Sequence, residues 1–207
     1  MGSKIDYKKD FKSLYVPKTT PEIINVPEMT FFTIEGSGSP DDPAFTEAVE
    51  ALYALSYGVK MSYKSPDVPS GYYEYTVFPL EGVWDLVDKT IDVSVKSNYK
   101  YKLMIRQPDF LTPELFERFL TDARRKKPAL PLDRVRMEYL KEGLCCQMLH
   151  LGSFAEEAAS FVKMLAFCEA QGYQRIAWDH REIYLSDPRK TVAEKLKTVL
   201  RFKVASK

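Results

Sequence analysis

The chain has 207 residues, 45% of them hydrophobic, with 30 basic residues against 29 acidic ones and a formal net charge of +1. That composition excludes a disordered polymer and suits one sizeable domain or two small ones. The charge balance gives no support for nucleic acid or another polyanion as the main partner.

The aromatic supply is generous: 13 Tyr, 12 Phe and 2 Trp, enough to furnish a cleft that needs apolar bodies with polar tips. The three cysteines lack framework spacing, and Cys145 and Cys146 are adjacent, which points to a reducing compartment. The stretch Met1–Asp10 has no apolar h-region, and no window approaches the ~18 apolar residues of a membrane span. The expectation is a soluble, cytoplasmic chain.

Residues 1–27 read as a charged lead-in punctuated by Pro17, Pro21 and Pro27. A strand is predicted over Met29–Glu35, stopped by the turn cluster Gly36–Pro40. Asp42-Pro43 then opens a helix that runs to about Tyr57-Gly58. Tyr72–Phe78 reads as a second strand passing into Pro79-Leu80-Glu81-Gly82-Val83-Trp84. Tyr99–Arg106 reads as a third, paired with the second as a hairpin. Thr112-Pro113-Glu114 caps an amphipathic helix whose basic end, Arg124–Lys127, complements its dipole. Residues 134–141 and 144–151 read as a hairpin about Glu142-Gly143. Ser153 and Glu156 have capping-box spacing before a helix to Gly172. Strands over residues 178–185 and 198–204 close the chain.

The halves rhyme. Ile34-Glu35-Gly36-Ser37 before one helix is answered by Leu149-His150-Leu151-Gly152-Ser153 before the other. Tyr73-Glu74-Tyr75 is answered by Glu182-Ile183-Tyr184. The expected fold is therefore α+β, a duplicated βαββ repeat with pseudo-twofold symmetry and a ligand cleft at its seam. Repeat one covers about 28–107, a helical connector 108–133, and repeat two about 134–204, all within a single domain over 28–207.

Strand alternation in the stretch Trp178–Tyr184 places Trp178, His180, Glu182 and Tyr184 on one face, with Arg181 and Ile183 on the other. A carboxylate between an imidazole and a phenol, with an indole beyond, describes either the wall of an aromatic pocket or a solvated strand face.

Several motifs together resemble the GyrI-like, small-molecule-binding family from about residue 28 to 204. They are His150-Leu151-Gly152-Ser153-Phe154, Arg181–Pro188, the closing strand Thr198–Val204, and Phe78–Trp84, the last being similar to a stand-alone branch. The resemblance implies paired βαββ (SHS2-type) repeats forming a saddle with an acid in its cleft, meeting cationic or polar aromatic ligands. Family members include the sensing halves of transcription regulators and an inhibitor of DNA gyrase. The stand-alone branch includes hydrolases that open the cyclopropane ring of DNA-alkylating natural products. Carried over, the acid is Glu182 and the phenol Tyr184, with Glu81 and Trp84 near the same cleft. Where many relatives have Gly-Pro-Tyr, this chain has Gly152-Ser153-Phe154 and so lacks a phenol.

On that basis Glu182 is expected to deprotonate or orient water, with its pKa raised by aromatic surroundings, and Tyr184 to donate to a developing oxyanion. Trp84, Tyr75 and Trp178 are expected to stack on a small planar aromatic ligand, with Glu81 and His150 lining the site. Glu74 is the pseudo-symmetric rival of Glu182. The same pocket without chemistry would bind, sequester or sense planar, often cationic compounds. A third reading is an inhibitor acting on a larger enzyme through surface contacts. Zinc-type spacing, a P-loop and a Gly-x-Ser-x-Gly elbow are absent from the sequence. No cofactor, metal, direct nucleic-acid contact or membrane contact is expected, and no protein partner is indicated.

Overall fold

A computed structural model describes residues 4–207. In chain order the elements are two short helices, α1 (Tyr7–Asp10) and α2 (Lys12–Tyr15), then β1 (Glu22–Ser37), α3 (Pro43–Lys60), β2 (Leu80–Leu86), β3 (Tyr99–Arg106), α4 (Pro113–Lys126), β4 (Arg136–Leu151), α5 (Glu157–Ala170), β5 (Tyr173–Arg175), β6 (His180–Tyr184) and β7 (Lys197–Ser206). The class is mixed α+β, and β1–β3, β2–β6, β4–β7, β5–β7 and β6–β7 are all antiparallel pairs. No helix is long and apolar enough to cross a membrane, among the described residues.

The chain divides into two compact units, each assembled from separated segments. The first comprises residues 4–6, Met29–Leu80 and Leu86–Leu140. In it β1 pairs with β3 from Phe31↔Arg106 to Ser37↔Lys100. The buried stripe of α3 is Ala48, Ala51, Leu52, Leu55 and Val59. That of α4 is Phe116, Phe119 and Leu120, and its cap Thr112 accepts the Leu115 N–H at 3.3 Å. Asp42 precedes Pro43 as expected, but its carboxylate accepts the Ser39 N–H at 2.8 Å instead of capping α3.

Tyr72–Phe78 does not form the expected hairpin strand. Among the described residues it makes a single bridge, Tyr75 to Ile5, and β3 pairs with β1. Its tyrosines pack around Phe110, with ring centroids 5.3 Å away for Tyr72 and Tyr73 and 6.2 Å for Tyr75. Aromatic packing organises this stretch in place of a hydrogen-bond ladder.

The second unit comprises Tyr7–Glu28, Glu81–Asp85 and Lys141–Lys207. Here β7 pairs with β4, β6 and β5, and β6 pairs with the core of β2. The expected hairpin at Glu142-Gly143 is instead one strand of 16 residues, β4. Gly143 takes a φ of 71° within it, a conformation open to glycine without a Cβ penalty. The turn signal is absorbed inside the strand.

Alternation gives this sheet two distinct faces. On one, Cys146, Met148, Leu200, Phe202 and Val204 pack against Met164 and Cys168 of α5. The buried stripe of α5 is Glu157, Ser160, Met164 and Cys168, leaving Val162 and Leu165 exposed. The predicted capping box forms: Ser153 N–H donates to Glu156 Oε2 at 3.0 Å, at the turn preceding α5.

The opposite face carries Glu81, Arg181 and Arg201 beside Glu142, two acids and two guanidiniums buried together. Arg181 reaches Glu81 at 2.9 Å and Glu142 at 3.3 Å, and Arg201 reaches Glu142 at 3.0 Å. Helix α2 closes over this face: Arg201 donates to Leu14 O at 2.8 Å, Gln147 to Ser13 O at 2.7 Å and Tyr15 to Glu81 at 3.3 Å. All three cysteines are buried and free. Burial pushes the Cys145 thiol up to about 12, so it is a core side chain and not a nucleophile.

Candidate functional site

Strand β6 begins at His180, and its pleat sends His180, Glu182 and Tyr184 to the face that α5 covers, while Arg181 joins the buried ion network on the other face, where Ile183 is also buried. Across the ladder, Gly82 lies opposite Glu182 and Trp84 opposite His180. Five positions on two adjacent strands thus share one patch.

Their hydrogen bonds run in one direction. Trp84 Nε1 can only donate, and it does so to the Tyr184 hydroxyl at 2.7 Å. The single Tyr184 proton is then directed to Glu182 Oε2 at 2.8 Å. His180 Nε2 meets Glu182 Oε1 at 3.0 Å. Burial first, then the charge of Glu182, raises the Tyr184 pKa well above its ordinary value. Phe154 lies edge-on to Tyr184 at 6.0 Å and Phe161 edge-on to His180 at 4.8 Å.

Gly82 is required by this geometry. A Cβ at that position would lie 2.8 Å from Trp84 Nε1 and 3.3 Å from the Tyr184 hydroxyl. The missing side chain is what lets the indole cross in front of Glu182.

Of the residues singled out from the sequence, the fold brings together Glu182, Tyr184 and Trp84. Glu81 is 1% exposed on the opposite face, held by Arg181 and Tyr15. It is a partner in the ion network, not a neighbour of Glu182's patch. His150 is buried: Nε2 faces the Ser153 carbonyl at 3.0 Å and Nδ1 the Ser160 hydroxyl at 2.9 Å. Both nitrogens are satisfied, with the proton on Nε2. Trp178 precedes β6, is 77% exposed, and its carbonyl accepts from Arg175. The alternation expected to align it with His180 stops where the strand does. Tyr75 belongs to the first unit, buried with Tyr73, Phe78 and Phe110. Glu74 is exposed there, 3.9 Å from Lys4.

One acid escaped the sequence reading. Glu157, in the first turn of α5, is 7% exposed, and its Oε1 accepts no hydrogen bond. Burial first, then the charge of Glu182 and a hydrogen bond to it, raise its pKa far above the usual carboxylate range. Its sequence signal was faint: an acid in a first helical turn normally serves the dipole. Yet it shares the 157/160/164/168 stripe that faces the core.

Glu157, His180 and Glu182 each offer a ligand atom, and these atoms lie within 4.8 Å of one another, compact enough for one small cation. Glu182 already takes hydrogen bonds from His180 and Tyr184, which compete with a cation for its oxygens.

Comparison with known proteins places these observations. The model of the GyrI-like small molecule binding domain matches residues 19–205. An uncharacterized conserved protein from Listeria innocua superposes with a TM-score of 0.92 at 42% identity, covering 98% of this chain and 100% of that one. Two structures described as a hydrolase from Listeria innocua do so at 40% identity with TM-scores of 0.92 and 0.89, at the same coverage. The EcmrR C-terminal domain shares the fold at 12% identity and a TM-score of 0.54, covering 91% of this chain and 98% of that one. No curated protein matches the chain.

Proposed function

Because the chain belongs to the GyrI-like small molecule binding domain family, we propose that it is a hydrolase opening the strained ring of electrophilic, cyclopropanoid-type toxic compounds. The observation that carries this reading is the Glu182 carboxylate, held from two sides by His180 and Tyr184 beneath the Trp84 indole. The Listeria innocua structures described as a hydrolase, at 40% identity over nearly the whole of both chains, favour turnover over binding alone.

The proposed step is addition of water to a spiro-cyclopropane conjugated to a dienone. Glu182 takes a proton from water as the water oxygen bonds to a ring methylene. The strained C–C bond breaks, and its electron pair ends on the dienone oxygen, giving a phenolate. Once Glu182 is protonated it no longer needs the Tyr184 hydrogen bond. Tyr184 can then turn its O–H to the phenolate, an oxyanion-type contact, and the Glu182 proton returns through solvent to the product. Trp84 is 8% exposed, so stacking of a flat ligand on its indole would require the ring to be uncovered first.

The order β1–α3–β2–β3 followed by β4–α5–β6–β7 is what a duplicated βαββ unit would leave in the chain, β5 being an addition to the second copy. The free cysteines suit a reducing cytoplasm, where a detoxifying enzyme would meet its substrate.

The test is mass spectrometry of a spiro-cyclopropane dienone incubated with the protein. Gain of one water, abolished by Glu182→Gln while the ligand is still bound, supports the reading. Near wild-type turnover by Glu182→Gln removes Glu182 from the chemistry. The second reading, sequestration or sensing of planar and often cationic aromatics, is favoured by the family's description as small molecule binding. It predicts recovery of the ligand unchanged.

A further inference from the structure

We infer that Glu157 carries the proton of a carboxyl–carboxylate pair with Glu182, making it a positioning residue that fixes the Glu182 carboxylate and leaves it one open acceptor position. The two groups come from different elements, Glu157 from the first turn of α5 and Glu182 from β6. The fold holds their oxygens within 4.8 Å. Two carboxylates at that range in a water-poor setting do not both stay ionised.

The surrounding donors decide which acid keeps the proton. Glu182 receives the Tyr184 O–H, whose direction is forced by Trp84, and contacts His180 Nε2. Glu157 has no such support. Its Oε1 accepts no hydrogen bond. A bare oxygen is costly on a buried carboxylate and far less so as the carbonyl of a neutral acid. The neutral form also gives Glu157 an O–H to donate to Glu182.

The neighbouring titratable groups are otherwise engaged. His150 on β4 is turned to Ser160 and Ser153, and Glu156 is held in the capping box. Arg175 on β5 lies over the Phe161 and Phe202 rings and donates to the carbonyls of Ala177 and Asp179. His180 and Tyr184 complete the set. An ionised carboxylate offers about four lone-pair positions. With Tyr184, His180 and Glu157 on three of them, one remains for water or a ligand donor. That consequence rests on the hydrolase reading above, whereas the shared proton does not.

Infrared spectroscopy of the protein alone tests it, with no substrate required. Burial also raises the pKa of Glu81, so the wild-type minus Glu157→Gln difference isolates the group of interest. At pH 7 that difference should contain a protonated-carboxyl stretch, which fades as the pH is made alkaline. In the Glu182→Gln variant the repelling charge is gone, and the fading should shift to lower pH by at least about tenfold in proton concentration. A wild-type protein with no such stretch at pH 7 overturns the inference, as does fading whose pH is indifferent to Glu182→Gln. The latter comparison needs only wild type and Glu182→Gln, in whose difference a Glu81 stretch common to both cancels, so it stands even if Glu157→Gln fails to fold. Failure to hydrolyse a cyclopropanoid would overturn the proposed function and leave the shared proton intact.

Discussion

Trp84 and Tyr184, 100 residues apart in sequence, are joined by a 2.7 Å hydrogen bond in which the indole N–H donates to the phenol oxygen. Because an indole cannot accept, this bond sets the direction of the Tyr184 proton and so turns it on Glu182. Trp84→Phe and Tyr184→Phe should therefore each weaken ligand binding, and their effects should not add. A double-mutant cycle on chemical unfolding is expected to give a coupling of about 0.5–1.5 kcal/mol. Strictly additive variants would mean the bond is not held in solution.

Gly82→Ala should disturb the site from behind. The new methyl would sit 2.8 Å from Trp84 Nε1, forcing the indole aside at a cost of about 1–3 kcal/mol. Tryptophan emission should shift and ligand affinity fall. Gly143→Ala is the control: it strains a φ of 71° with open space around the added carbon, so stability drops while binding persists.

Glu142→Gln should be the most destabilising single change on the far face of the second unit. It leaves Arg181 and Arg201 buried with Glu81 as the remaining acid of the network. Removing one partner from a buried ion cluster costs roughly 3–5 kcal/mol. Loss of less than about 1 kcal/mol in urea unfolding would indicate that the network is hydrated.

Glu142 and Glu157 pull stability in opposite directions with pH. Burial works against ionisation of Glu142, but Arg181 and Arg201 outweigh it and hold its pKa below the ordinary 4.5. Its contribution is present above pH 4.5 and is lost as the pH falls through its folded value. The pKa of Glu157 is raised, by burial first and then by Glu182. Its contribution is full below the ordinary 4.5 and is lost as the pH rises towards its folded value. Melting temperature against pH should thus decline on both sides, and Glu157→Gln should flatten only the alkaline side. An unchanged alkaline slope in that variant would assign the slope to another group.

Trp178→Ala should leave stability within about 0.5 kcal/mol of wild type and planar-ligand affinity unchanged, since the indole is 77% exposed outside β6. A marked loss of affinity, measured by fluorescence titration of a planar aromatic dye, would restore Trp178 to the binding surface.

Much of this was legible in the chain itself. Period-two alternation placed His180, Glu182 and Tyr184 on one face, and local chemistry wrote the Ser153/Glu156 capping box and the Thr112 cap. These features depend on residues a few positions apart, whose geometry the backbone fixes without help. Sequence misjudged Tyr72–Phe78, because β-rich composition does not reveal that aromatic packing on Phe110 will replace a ladder. It also read Glu142-Gly143 as a turn, because a glycine that ends a strand and one that bends it look alike.

What only the tertiary structure decided is who stands beside Glu182. Period-two alternation already parts Glu81 from Trp84, three residues on, but nothing local tells that Glu81 meets Arg181 and Trp84 meets Tyr184. Nor does it tell that α5 lowers Glu157 onto the same patch. Such partners are chosen by long-range register and by which helix face finds the core, and neither is a property of any short stretch of chain.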